Sequence, residues 1–100
     1  MTIRFTAPLQ MVFIEEGFDK IGTIVLPEET VADVRAAVLE LGKTRAFGAV
    51  KVAVTVGASR WQTSLGATKG GGYFLPIKKP VRLAEGISEG DPVEVALELA

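Results

Sequence analysis

One hundred residues, 48% of them hydrophobic and 23% charged, make one folded domain rather than a disordered or multidomain chain. The formal net charge is −1, no apolar run approaches the ~20 residues that span a bilayer, and MTIRFTAPLQ lacks the basic-then-apolar pattern of a signal peptide. Cysteine and histidine are both absent, which excludes disulfides, thiol chemistry and Ser-His or Cys-His nucleophile pairs, and leaves only carboxylates for a zinc site.

The segment TIRFTAPLQMVFIE reads as a first strand, broken near Pro8, and IGTIVL as a second, ended by Pro27. The period then changes. Val31, Val34, Val38 and Leu41 recur at spacings of three and four, which predicts a helix over 30–41. Thr30 and Asp33 have the spacing of a capping box, and Gly42 stands where a left-handed C-terminal residue is wanted.

Strict alternation returns in VKVAVTV, with Val50, Val52, Val54 and Val56 on one face. GAS turns the chain into RWQTSL, where Trp61, Thr63 and Leu65 oppose Arg60, Gln62 and Ser64, so the pair reads as a hairpin. GATKGGG is a loop in which glycine supplies positive φ at more than one position. YFLPI is the next strand. Pro80 opens a short helix that Gly86 ends, and PVEVALEL closes the chain with Val93, Val95, Leu97 and Leu99 facing inward.

The sum is about six strands, one long helix and one short one, a small barrel rather than a parallel βαβ sheet. A weak repeat runs through it. Leu26-Pro27 leads to Val34-Arg35, and Leu75-Pro76 leads to Val81-Arg82, as two similar halves of a barrel would.

The charges are segregated. Lys43, Arg45, Lys51, Arg60, Lys69, Lys78, Lys79 and Arg82 follow one another with no acid between them, while all twelve acids lie outside that block. Such a block attracts anions unless neighbouring strands bring acids beside it. Arg60, Ser64, Lys69, Lys78, Lys79 and Arg82 are accordingly the candidate anion-binding residues.

Each candidate has a plainer account: a solvated strand face, a glycine turn, or salt pairs to the acids. The lysine of TKGGG precedes the glycines and a strand follows, unlike a phosphate-binding P-loop. Lys78 and Lys79 sit where a helix dipole disfavours cations, so a carboxylate, a partner or an anion is expected nearby. Trp61 fills the core, or else, with Tyr73, stacks on a base. Glu15-Glu16, Glu28-Glu29 and Glu89 with Asp91 lie beside turn signals and read as solvated turns.

The stretch LPIKKPVRLAEGISEGDPVEVALEL resembles proteins of the AbrB/MazE/MraZ type, small double-split β-barrels of which many bind DNA as dimers. RFTAPLQ, IVLPEE, RWQTSLGATKGGGYFLPIKKPVRLAEG and GDPVEVALEL, in this order, are similar to a bacterial and archaeal family of unknown function that occurs with YdeI/OmpD-associated domains. The resemblance covers roughly residues 3–99 and implies a single double-split, pseudo-two-fold β-barrel domain. It brings no activity, cofactor or catalytic residue.

The expectation is therefore a non-catalytic binding domain for nucleic acid or another anionic partner. The alternatives are a protein–protein accessory domain or a small-molecule site, with little prospect of catalysis. No metal, cofactor or membrane partner is expected. The location is cytoplasmic by default, and the chain is a monomer or a homodimer.

Overall fold

Side chains that alternate between two environments fold this chain into strands. In the computed structural model, which describes residues 2–13, 20–40 and 50–99, the order is β1 (Thr2–Pro8), β2 (Gln10–Phe13), β3 (Lys20–Val25), α1 (Glu28–Glu40), β4 (Val50–Val56), β5 (Ser59–Ala67), β6 (Tyr73–Ile77), α2 (Lys79–Glu85) and β7 (Pro92–Leu99). The strands form one curled, half-barrel antiparallel sheet in the order β1-β7-β4-β5-β6-β3-β2. Ile3, Phe5, Val52, Val54, Leu65, Leu75, Val95 and Leu97 line its buried concave side. Among the described residues no helix is long and apolar enough to cross a membrane.

Among the described residues seven strands replace the expected six, because the first one divides at Leu9. The inward positions Ile3, Phe5, Ala7 and Leu9 stay in phase, and Met11 continues them against the core. The partner, however, changes. β1 pairs with β7, and β2 pairs with β3. At the break the Leu9 N–H bonds the Asp91 carbonyl (3.0 Å), and the Leu9 carbonyl accepts the Gly90 N–H (2.8 Å). Gly90 (φ +89°) makes this approach possible, and Asp91 closes its own turn by accepting the Ser88 N–H at 2.8 Å. The two ends of the strand order are thus successive pieces of one chain.

A second crossing lies at β5. Its first seven residues pair with β4, and only Gly66 and Ala67 pair with β6, opposite Phe74 and Tyr73. A Cβ on Gly66 would lie 2.3 Å from the Phe74 ring, so the ring occupies the space that glycine leaves bare. Beyond that point β5 and β6 part. The Leu26 N–H bonds the Tyr73 carbonyl, so by alternation the Thr23–Pro76 pair exchanges no ladder bonds. The proline therefore costs the β3–β6 ladder nothing.

α1 closes the core through Val34 and Ala37, with Val31 and Val38 packed beside them. It opens at Glu28, two residues earlier than the sequence predicts, with a first bond from the Val31 N–H to the Pro27 carbonyl (2.9 Å). Pro27 needs no donor there and two acids suit the first turn, so Thr30 is buried inside the helix and does not cap it. Leu41 and Gly42 lie outside the described residues. The two Leu-Pro steps also differ in place, since Pro27 follows its strand and Pro76 sits within one.

α2 begins with Pro80 in its first turn and ends at Gly86 (φ +65°). It is held by Glu85, whose carboxylate accepts the Ser59 hydroxyl (2.6 Å) and the Ala58 N–H (3.3 Å) across the β4–β5 turn. Gly57 (φ +56°) admits that carboxylate, because a Cβ there would meet it at 1.9 Å.

Two stability measurements test these joints. Gly66→Ala should cost about 1–3 kcal/mol by overpacking, and Phe74→Leu in the same chain should recover part of it. Purely additive losses in thermal melts would remove the ring–glycine contact as the cause. Glu85→Ala should cost about 1–2 kcal/mol by leaving the Ser59 hydroxyl and Ala58 N–H without their acceptor. An unchanged melting temperature would show that this carboxylate does not hold α2.

Candidate interaction surface

The convex side of the sheet carries the residues that alternate away from the core, and it has two halves of different character. On β1, β7, β4 and β5 the registers align Arg4, Ala96, Thr55 and Arg60 in one row and Thr2, Glu98, Ala53 and Gln62 in the next. Lys51 and Ser64 face each other beyond them. Arg60 Nη2 lies 3.7 Å from Glu98 Oε2, with both side chains more than half exposed. Two shallow depressions mark this half, one bordered by Arg4, Thr55 and Glu94, the other by Lys51, Ser64 and Glu98. Acids on β7 therefore interleave with bases from β1, β4 and β5, and the basic block does not present a uniform field here.

The other half, on β6, β3 and β2, is nearly uncharged. Its outward rows are Phe74 beside Val25, Pro76 beside Thr23 and Gln10, and Ile21 beside Val12. Val25 is 44% exposed and Val12 38%, while Phe74, Pro76 and Ile21 are half-buried. The opposite faces of the same strands, Ile24, Leu75 and Ile77, lie in the core. This layer is thus largely apolar on both sides, with exposed Gln10 and buried Thr23 (5% exposed) the polar residues of its outer rows. Antiparallel strands with one wet face normally alternate with polar residues, and these do not.

The six candidate residues fall in four settings. Arg60 and Ser64 share the outer face of β5, as alternation predicts. Lys69 is exposed on the turn between β5 and β6. Lys78, the N-cap residue of α2, and Lys79 are exposed at the far end of β6 from that turn. Arg82 is half-buried. Its Nε donates to the Ile77 carbonyl (3.2 Å), its Nη1 lies 3.5 Å from Met11 Sδ, and its stem lies over the bare Cα of Gly22. Arg60 and Ser64 share one strand face and Lys78 and Lys79 are neighbours, but these two pairs, Lys69 and Arg82 do not meet at one site.

The glycine loop has its own internal bonding. Thr68 N–H bonds the Gly72 carbonyl, Gly71 N–H bonds the Thr68 carbonyl, and Gly72 N–H bonds Thr68 Oγ1. Arg35 of α1 donates to the Gly71 carbonyl and ties the loop to the helix. Within it only Gly71 has positive φ (+84°), one position where the sequence predicts more than one. Gly71 and Gly72 thus direct their N–H groups to Thr68. Trp61 and Tyr73 are half-buried against the core rather than free on the surface.

Glu28, Glu29, Glu89 and Asp91 are exposed at helix starts and turns, and Glu89 Oε2 lies 3.4 Å from the Met11 N–H. Glu15, Glu16, Lys43 and Arg45 lie outside the described residues. The apolar outer face was missed in the sequence. Its signal was present in KIGTIV and YFLPI, where apolar residues occupy both alternating sets.

No curated protein matches the chain. Residues 5–97, from the core-facing Phe5 of β1 to the core-facing Leu97 of β7, match the family model described as "Domain of unknown function (DUF1905)", and the chain belongs to that family.

Proposed function

We propose that this domain is a non-catalytic protein-binding module whose working surface is the convex face of β2, β3 and β6. The observation that carries this reading is the apolar outer layer with Val12 and Val25 at the surface, backed by a core-packed inner layer of the same strands. Contiguous exposed apolar surface marks interaction sites, and the cores of interfaces are depleted in charge and enriched in aromatic residues. Phe74, held over Gly66, supplies a rigid aromatic. The double-split barrel also belongs to this reading. β3–α1 and β6–α2 are neighbouring antiparallel units of similar build, which supports two related halves.

Nucleic acid, or another anionic partner, is the second reading. Exposed Lys78 and Lys79, together with the sequence resemblance to DNA-binding barrels, favour it. Its six residues do not converge, and Arg60 already faces Glu98.

The first reading is tested with Val12→Lys and Val25→Lys in one chain. If the face serves a partner, the melting temperature at low micromolar concentration should shift by no more than about 4 °C, as for ordinary surface changes, while binding of a hydrophobic dye falls. Loss of cooperative folding would mean that this face belongs to the domain's own core. The second is tested by fluorescence anisotropy of a labelled random duplex. No saturable binding is expected at about 0.15 M salt. Micromolar binding that falls steeply with salt would favour nucleic acid over protein.

A further inference from the structure

β5 has β4 along one edge and, for most of its length, no strand hydrogen-bonded to the other. The turn at Gly57 (φ +56°) and Ala58 makes Val56 and Ser59 the closing pair of the β4–β5 hairpin. By alternation Ser59, Trp61, Thr63 and Leu65 exchange their backbone bonds with β4, and Arg60 and Gln62 direct theirs to the opposite edge. β6 meets that edge only at Gly66 and Ala67. The backbone N–H and C=O groups of Arg60 and Gln62 therefore make no hydrogen bond among the described residues.

The inner face of the sheet is incomplete at the same place. Core-facing residues on strands with a neighbour on each side are buried, as at Val54, Val95 and Leu75. On β5, Trp61 and Thr63 are only half-buried, and burial becomes complete at Leu65, beside the point where β6 joins. β1 also has an edge without a partner strand, but α1 packs there and Ile3, Phe5 and Ala7 are all buried. α2, which contacts β5, buries none of its own residues. The core layer is thus left uncovered along Trp61 to Thr63.

The elements around this edge are basic. β5, β6 and α2 with its N-cap hold Arg60, Lys78, Lys79 and Arg82, and their one acid, Glu85, is engaged by Ser59 and Ala58. Lys51 stands beside Ser64 on β4. Glu98 lies 3.7 Å from Arg60, but both side chains are more than half exposed, where such a pair holds weakly.

We propose that the open edge of β5 takes an extended, acidic peptide of a partner protein as an added strand. The peptide backbone bonds the free groups of Arg60 and Gln62. One alternating set of its side chains meets Arg60 on the outer face, where acids fit, and the other covers Trp61 and Thr63, where apolar residues fit. A second copy pairing through the same edge would gather Arg60, Lys78 and Lys79 of both chains, which like charge opposes. This edge is separate from the outer face of β2, β3 and β6, and the proposal does not rest on that face.

The test uses a capped peptide of about eight residues, alternating glutamate and valine, with Trp61, the only tryptophan, as the fluorescent reporter. At about 0.15 M salt it should bind with Kd on the order of 100 µM and move the emission to shorter wavelength as the indole loses water. N-methylation of one alternate set of its peptide nitrogens should abolish binding, and of the other set leave it, because an added strand uses one edge only. The lysine–valine counterpart should bind at least about tenfold more weakly, and R60E should narrow or reverse that difference. Q62P should abolish binding with the fold kept, as far-UV circular dichroism checks, because proline there removes an N–H that β4 does not use. If Q62P fails to fold, the methylated peptides make the same test.

Amide hydrogen exchange examines the edge without peptide. The Arg60 and Gln62 N–H groups should exchange faster than those of Trp61 and Thr63, and slow when the peptide is added. Val12→Lys with Val25→Lys should bind the peptide like the parent, since those residues lie on the other surface. An unmoved emission, equal binding of the acidic and basic peptides, an R60E chain that binds both like the parent, or equal tolerance of both methylated peptides would each overturn the proposal. So would slow exchange at Arg60 and Gln62 in the free chain, and slowing that grows with protein concentration would give the edge to a second copy instead.

Discussion

The fold depends on a ring placed against a bare Cα. Phe74 lies across Gly66 at the one stretch where β5 touches β6, and any side chain at residue 66 would enter the ring. β5 can therefore serve two layers, pairing with β4 along most of its length and with β6 at its end. Without that close approach the second layer would lose its join to β5. The matching join at Leu9 uses backbone alone, through its paired bonds to the 90–91 turn. One crossing is side-chain packing and the other is hydrogen bonding, and between them the sheet curls round its core.

The same crossing explains why the outer surface is divided. β7 lies between β1 and β4, so its alternating Glu94 and Glu98 stand among Arg4, Lys51 and Arg60. Field cancellation on that half follows from strand order and from nothing local. Past Gly66 the outward positions belong to β6, β3 and β2, whose residues are largely apolar in both phases, Gln10 and Thr23 excepted. The helices do not change this, since α1 packs through Val34 and Ala37 into the core and α2 is moored by Glu85 to the β4–β5 turn. Charged side chains gather instead at the ends of the layer, where the chain leaves strand for helix.

Glycine positions carry much of the tertiary logic. Gly57 admits Glu85, Gly22 lies beneath the stem of Arg82, and Gly66 receives Phe74. Each is a place where two elements meet more closely than a Cβ allows. This also explains why Arg82, a basic residue at helical spacing, contributes structure: its guanidinium is engaged by the Ile77 carbonyl and the Met11 sulfur. Arg35 is used in the same way on the glycine loop.

Local pattern was enough for most elements. The alternation of Val50 to Val56 and of Val93 to Leu97 named their inward faces, and Pro80 and Gly86 bounded α2, because side-chain period and backbone restriction act within a few residues. The mainly β class with two helices was legible for the same reason. The start of α1 was not, since Thr30 carries a capping residue's chemistry but is drawn into the core. The break of the first strand near Pro8 was legible, but the change of partner that makes two strands of it was not, because Leu9 keeps its phase. The candidate surface was least legible. A run of bases in sequence becomes a field only when strand order decides which acids stand beside it, and a both-faced apolar strand becomes a surface only when no other element covers it. Those decisions belong to pairings between residues far apart in the chain, which no local pattern specifies.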